Sequence, residues 1–576
     1  MVKFRLFPTA FAALTAAVVV IPVQAQTQTP QAGGHVHYAE PPAQQATTTG
    51  AIAPRLQNLG THAFPVSTRN RQAQLFMNQG LNLAYAFNHA EARRAFREAA
   101  RLDSNLAMAY WGQALVLGPN INALMEPNEE PNAYELVQKA LSLKSRASAR
   151  EQAYIDALAQ RYSGAASDRK PRDQAYATAM RTVHQRFPQD LDAAMLYVES
   201  VMDLRPWGYW QRDGTPHEGT AEVVALTEQV MAKNPRHPAA LHMYIHLMEA
   251  TTPAKAEKAA DTLLTLMPAA GHMVHMPGHI YQRVGRYADA MKSNELAIAA
   301  DEDYIAQCQA QGLYPMGYYP HNIHFLWFAA SADGQSRVAI ESARKLAAKI
   351  DDETLKAVPM LAGFRIVPYY ALTRFGRWEE MLQQPEPPAF NAVLRATWHY
   401  ARGLSLVATG RVDQAATELD RLKALLPDES MKQPLFSPNL AGFVLAPAPG
   451  VLQAEIDAAR GNYDSAVAHL ERAVRLEDSL VYTEPSEFHY PPRQALGAIL
   501  LEAGRPAEAE TVYWEDLRRN QDNGWALFGL MQALRAQKKE AEASLIEARF
   551  TRAWSRSDVT LAASRFGRPR ATSQTR

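Results

Sequence analysis

Three histidines, His272, His275 and His279, stand within eight positions of one stretch, GHMVHMPGH. Imidazole is mostly neutral near pH 7 and is the commonest side-chain ligand for transition metals, so histidines sharing a helix face point first to metal binding. On an α-helix the spacing i, i+3, i+7 falls within an arc of roughly 60°. His242, His246 and Glu249 form a second stripe at i, i+4, i+7, and His321 and His324 a third at i, i+3. Eight of the seventeen histidines lie between His237 and His324. Packed helices lie about 8–10 Å apart, so ligands from two neighbours reach one ion, while ligands from three in a row need curvature or two ions. The candidate ligands are His242, His246, His272, His275, His279, His321 and His324. With Cys308 the only cysteine, no site can use two thiolates of this chain. Copper, zinc and iron all suit imidazole. Met243, Met248, Met273 and Met276 lie nearby and would favour copper, although thioethers in helical repeats more often fill cores. The competing reading is a histidine-rich polar pocket for an anion or a peptide.

If the site is catalytic, Glu249 is the candidate acid/base group and Arg283 the electrostatic stabiliser. No HExxH, nucleophile elbow or phosphate loop fixes a reaction class. Pro277 must either kink the helix that carries the histidines or begin a new one as its first residue. The second case would leave His272 and His275 in the preceding turn. Other polar or aromatic segments interrupt the pattern. QGLYPMGYYP, with Tyr314, Tyr318 and Tyr319, is a loop that either covers the site or packs on its own tyrosines. DLRPWGYW offers Asp203, Arg205, Trp207 and Trp210 for a pocket wall. Asn88, His89, Asn120 and Asn122 are placed to cap or tie turns. Glu484, His489 and Arg493 could reach the site only if the chain closes on itself.

The elements that must position these residues are helices. From about residue 70 to 550, apolar residues recur at helical spacing, segments end at Gly or Pro, and no run alternates like a strand. GRYADAMKSNELAIAADED, GRVDQAATELDRLKALLPDES, GNYDSAVAHLERAVRLEDS and GRPAEAETVYWEDLRRNQDN repeat one pattern, and FNHAEARRAFREAARLDSN repeats it without the leading Gly. This resembles the tetratricopeptide repeat (TPR), in which small residues let two helices of a hairpin approach and each hairpin buries its face on the next. The fold expected is all-α, a TPR-like helical-hairpin solenoid with a concave, His-lined groove. In the register set by Gly285, the resemblance places His272, His275, His279 and Arg283 at groove-facing positions. Together, HMPGHIYQRVGRY, YYPHNIHFLW, LRPWGYW and EFHYPPRQALGAILLEAGR resemble a family of large exported bacterial TPR proteins. That resemblance implies fold and export and no particular activity.

Residues 1–25 read as a signal peptide, with Lys3 and Arg5 before an apolar run and Ala25 at the cleavage point, which implies a periplasmic or secreted protein. Residues 26–60 read as a flexible leader containing His35 and His37. Three blocks of repeats follow, 61–235, 236–350 and 351–560, and residues 561–576 form a basic tail. Formal net charge is +0, so no global basic field recruits nucleic acid. The function expected is an exported repeat protein that holds copper, zinc or iron through groove histidines. The alternatives are a metal-dependent enzyme using the same site and a metal-free scaffold binding a peptide, protein or small molecule.

Overall fold

In several hairpin turns the chain leaves the first helix through a left-handed residue with positive φ before entering the second. Gly285, Gly334, Gly376, Gly410, Gly461 and Gly504 fill that position, with φ between 65° and 82°. The following N–H reaches back into the first helix, as from Arg286 to the Tyr281 carbonyl and from Arg505 to the Leu500 carbonyl, both at 2.8 Å. Only glycine adopts this backbone without a Cβ penalty. The first hairpin, Arg71–Tyr85 with His89–Leu102, makes the same turn with Phe87 at φ 56°, and Asn88 N–H reaches the Leu83 carbonyl at 3.0 Å. A bulky residue is strained there.

Helix separation within a hairpin is set seven residues before the turn residue and nine after it. Gly80 receives the Phe96 ring and Gly497 the Tyr513 ring, and a Cβ at either glycine would strike that ring. The hairpin turning at Gly285 breaks the rule. Gly278 is retained, but the residue opposite it is Asn294, fully buried, whose amide nitrogen would lie 2.7 Å from a Cβ on Gly278. A core position that takes an aromatic ring in two hairpins is here polar.

The chain is an all-α solenoid of TPR-like hairpins. The structure is a computed structural model describing residues 50–165, 168–308, 314–435, 438–489 and 491–567, and among these there are only isolated β-bridges and no strand. No helix among the described residues is long and apolar enough to cross a membrane. The expected signal peptide, His35 and His37 lie outside the described residues. The leader was expected to extend to residue 60, but its last part is packed. Ala53 and Leu59 are buried, and Ile52 N–H donates to the Glu98 carboxylate at 2.9 Å. The start of the expected tail is packed too, since Ser564 is buried and its hydroxyl donates to the Gln494 carbonyl at 2.8 Å. Apolar side chains in an otherwise polar stretch, Leu59 and Leu561 among them, hold both segments on one core that runs from Ala53 to Leu561.

The solenoid returns on itself. Trp525 Nε1 donates to the Ser331 carbonyl at 3.0 Å, and the Asp558 carboxylate accepts from the Ser336 and Arg337 N–H groups at 2.7 and 3.0 Å. Arg556 pairs with Asp333 at 2.6 Å, and Tyr287 donates to the Gln521 carbonyl at 3.0 Å. The last hairpins therefore lie against the central ones, and the 481–489 segment reaches the central histidines. At Pro277 the two sequence alternatives meet halfway. Pro277 opens a helical segment, Pro277–Arg283, but His272 and His275 lie on a helix of their own, Gly271–His275, joined to it through helical Met276.

Candidate metal centre

Six of the seven predicted ligands converge, in two sets of three. His242 and His246, one turn apart on the helix Pro238–Met248, meet His272; His275 and His279 meet His321 from the helix Tyr319–Asp333. Within each set one ligand atom per residue lies within 4.8 Å of the others. His242 Nε2 is 3.1 Å from His246 Nε2 and 3.1 Å from His272 Nε2, and His275 Nε2 is 2.9 Å from His279 Nε2. Nitrogens around a tetrahedral ion at about 2.0–2.1 Å lie roughly 3.3 Å apart, so these spacings suit a shared ion.

The opposite edges of the rings are held from behind. His242 Nδ1 lies 2.7 Å from the Tyr85 carbonyl, which can only accept, so the proton sits on Nδ1 and the Nε2 lone pair points inward. His246 Nδ1 donates to Glu249 Oε1 at 3.1 Å. His275 Nδ1 donates to Asn294 Oδ1 at 2.7 Å, and the Asn294 amide donates to the Ala290 carbonyl at 2.8 Å, which fixes which end faces the ring. His279 Nδ1 lies 2.8 Å from Glu484 Oε2 and 3.0 Å from Glu249 Oε2. The core asparagine at the irregular repeat position thus serves His275, and one carboxylate, Glu249, serves a histidine of each set. Backing of Nδ1 by carbonyls and carboxylates is how proteins fix the tautomer of metal-ligating imidazoles.

This bookkeeping leaves a deficit. His242 Nε2 has one lone pair and two nitrogens 3.1 Å away, so hydrogen bonding satisfies at most one. Burial, then neighbouring imidazoles, holds His242, His272 and His275 well below the usual histidine range, and burial does the same to His246. These four are neutral. In the second set, burial opposes protonation of His279, but Glu249 and Glu484 outweigh it and push its pKa up to about 10. A proton on His279 Nε2 therefore accounts for its approach to His275. In the first set a proton on His272 Nε2 can satisfy one contact of His242, because His272 Nδ1 has no other partner, but the His242 and His246 Nε2 lone pairs still face each other at 3.1 Å.

An aromatic ring backs each set. Phe87 lies 4.6, 5.4 and 6.2 Å, centroid to centroid, from His242, His272 and His246. Phe325 lies 4.6, 4.5 and 4.9 Å from His275, His279 and His321. Phe87 is the residue that occupies the strained turn. The ligands are buried except for half-buried His321, so the expected open groove is closed here by Tyr85, Phe87 and the 481–489 segment.

The remaining predicted residues divide. His324 is not in either set; about 60° around the helix from His321, it stacks on Trp327 at 5.1 Å and faces Phe364. Glu249, expected as an acid/base group, is fully buried behind the rings, so its geometry is that of an orienting group. Arg283 stands behind Glu484, its Nε 3.9 Å from Oε1, and stacks over Tyr482 rather than facing the imidazoles. Glu484 does reach the site. His489 packs on Trp327 at 4.1 Å, and Arg493 pairs with Asp478 at 2.5 Å. Trp207, at φ 62°, sets its half-exposed ring 5.1 Å from His246, while Trp210 donates to the Leu247 carbonyl and Asp203 pairs with Arg161 at 2.9 Å. Tyr318 lies against His272 at 4.8 Å, and Tyr314 donates to Asp301 at 2.9 Å. Asn88 caps its helix, and Asn120 ties to His89 at 3.3 Å, as turn residues should. Met243, Met248, Met273 and Met276 are core residues. Tyr85, Phe87, Asn294 and Phe325 were not anticipated. Two carried a signal in the sequence: Asn294 as a polar residue on an apolar stripe, and Phe87 where six other hairpins have glycine.

Another histidine–carboxylate group serves as a contrast. His62 Nε2 lies 2.8 Å and His237 Nε2 3.4 Å from Asp192 Oδ1, to which Tyr85 also donates at 2.7 Å. His237 Nδ1 accepts from the Ala240 N–H, so its proton is on Nε2, facing the carboxylate. His62 and Tyr85 hydrogen-bond to this carboxylate, whereas His237 Nε2, 3.4 Å from it, makes no hydrogen bond.

No family model and no curated protein matches the chain. Among solved structures, the human IFIT1 dimer with m7Gppp-AAAA superposes with TM-score 0.31 and 12% identity, over 84% of this chain and 90% of that one. The APC/C hetero-tetramer Cut9–Hcn1 gives 0.30 and 13%, over 84% and 78%.

Proposed function

We propose that the chain is an exported TPR-like protein that holds transition-metal ions in two three-histidine sets, His242–His246–His272 and His275–His279–His321. The observation that carries the reading is the first set, where neutral imidazoles turn nitrogens toward one another at 3.1 Å while a carbonyl holds the His242 proton on the far edge. With their protons held on Nδ1, the buried Nε2 lone pairs of His242 and His246 face each other at 3.1 Å, which costs free energy unless a cation sits between them. Orienting groups behind His242, His246, His275 and His279 support the same reading. The protein is to be purified without an affinity tag and its metal content measured by mass spectrometry, beside a His242→Ala/His246→Ala variant and a His275→Ala/His279→Ala variant. Stoichiometric metal in the parent, reduced in each variant, is expected. No metal in the parent, even after reconstitution with copper, zinc and iron, overturns the reading and leaves a polar interior for a peptide or small anion.

A further inference from the structure

The two sets are as close to each other as their own members are. Within the first set the rings lie 4.9, 4.9 and 6.3 Å apart, and within the second 4.7, 4.9 and 5.9 Å. Across the boundary, His272 lies 6.0 Å from His275 and His246 lies 6.0 Å from His279. His272 and His275 are neighbours on a single helix, and Glu249 joins His246 to His279 through its two oxygens. Ions held by these sets cannot be independent.

Resting on the metal-binding reading, we propose that the six histidines form one dinuclear copper centre whose small-molecule ligand is dioxygen. Three observations select this chemistry. First, all six inward ligands are imidazoles, and the nearby carboxylates, Glu249 and Glu484, lie behind the rings against the Nδ1 atoms of His246 and His279. Paired ions that activate water commonly share a carboxylate or a charged oxygen between them; this site offers none. Second, once an ion displaces the proton between His275 and His279, the charge must be borne by neutral ligands. Coulomb repulsion scales with the product of the charges, so two adjacent divalent ions repel four times as strongly as two monovalent ones. A buried all-imidazole site therefore favours Cu(I), the monovalent ion among the metals that imidazole binds well. Third, Phe87 and Phe325 cover both sets with apolar rings, which keeps water from the ions and suits an apolar diatomic ligand.

The electrons balance without another reactant. Two Cu(I) ions each give one electron, dioxygen takes both and is reduced to the level of peroxide, and its O–O bond order falls from two to one. The two added positive charges on copper are matched by the two negative charges on the oxygen ligand, and no proton is consumed.

The test uses the full chain loaded with Cu(I) under anaerobic conditions. Dioxygen is then added, its uptake is measured with an oxygen electrode, and the oxidised product is examined by electron paramagnetic resonance with total copper counted separately. One dioxygen taken up per copper pair, with an oxidised product whose spin count falls far below its copper content, is expected, because adjacent Cu(II) ions couple. His321→Ala, at the half-buried ligand, should leave a lone Cu(II) whose spin count matches its copper. Bound copper that shows its full spin in the parent overturns the dinuclear centre while leaving metal binding intact. So does zinc or iron retained in place of copper. Two coppers bound per chain that take up no dioxygen overturn the dioxygen assignment. A parent that binds no metal at all removes the underlying reading as well.

Discussion

Glu249 is a single carboxylate asked to do two jobs. Its Oε1 accepts from His246 and its Oε2 lies against His279, so it fixes one ring in each histidine set. A carboxylate presents two acceptors and an amide only one. Glu249→Gln must therefore turn a donor toward one imidazole N–H, and that ring will swing. Loss of such a supporting partner weakens metal binding by about 10–100-fold. Glu249→Gln is expected to lower affinity for both ions, whereas Glu484→Gln, which among the six histidines touches His279 alone, should lower it for one. Competition titration with a chelator, read by mass spectrometry, separates a two-ion from a one-ion effect. Residue type and spacing made His242, His246, His272, His275, His279 and His321 visible in the sequence. Their partners were harder to see because a backbone carbonyl such as that of Tyr85 has no residue signature. His324 was misplaced for a geometric reason: its helix offers only one ring to the cluster, and i+3 carries the next into the Trp327–Phe364 contact.

At the scale of elements, the helix Gly271–His275 carries two of the six imidazoles and is only five residues long. Its start is held by Asp301, whose carboxylate sits where a Cβ on Gly271 would be and accepts from Tyr314 at 2.9 Å and Asn322 at 2.7 Å. The Tyr314 hydroxyl in turn accepts from His272 N–H at 3.1 Å. Burial, working against the hydrogen bonds from Tyr314 and Asn322, pushes the Asp301 pKa up to about 7 from its ordinary 3.8. A folded-state pKa raised above the unfolded one means that the folded chain binds the extra proton, so its contribution is complete below about pH 4 and is lost as pH rises through about 7. Stability from this residue should fall across that window. Asp301→Asn, which cannot titrate, is expected to flatten that part of the pH profile in chemical denaturation; an unchanged slope would show that another group governs it. The hairpins themselves were legible because Gly285, Gly334 and their counterparts mark the turns. The closed cover over the histidines was not, since it is made by segments far apart in sequence.

For the whole molecule, the decisive feature is ring-like closure of the last hairpins on the central ones. Trp525 is its keystone: fully buried, donating to Ser331, with the Arg374 guanidinium 3.7 Å over its ring and Trp554 and Phe566 at its edges. Removing a buried Trp side chain costs about 3–5 kcal/mol. Trp525→Ala should lose stability of that order in urea unfolding, and it should also lower metal retention, because Glu484 is held at His279 by the same closure. A variant that is destabilised yet retains metal as the parent does would separate closure from the site. Periodicity predicts hairpins that contact their neighbours. It is silent on contacts across some 200 residues, such as Asp558 with Ser336, which is why Glu484 entered the sequence reading only as a conditional partner.

The 205 residues between His279 and Glu484 also set an order in time. Synthesis runs from the N-terminus, so a nascent chain exposes all six imidazoles well before the carboxylate that holds one of them in place has been made. Until the later hairpins arrive and dock, His279 lacks one of its two anionic partners, and the chain is an incomplete chelator. The site matures last, once the fold has closed, and a truncated product would carry the ligands without their full support.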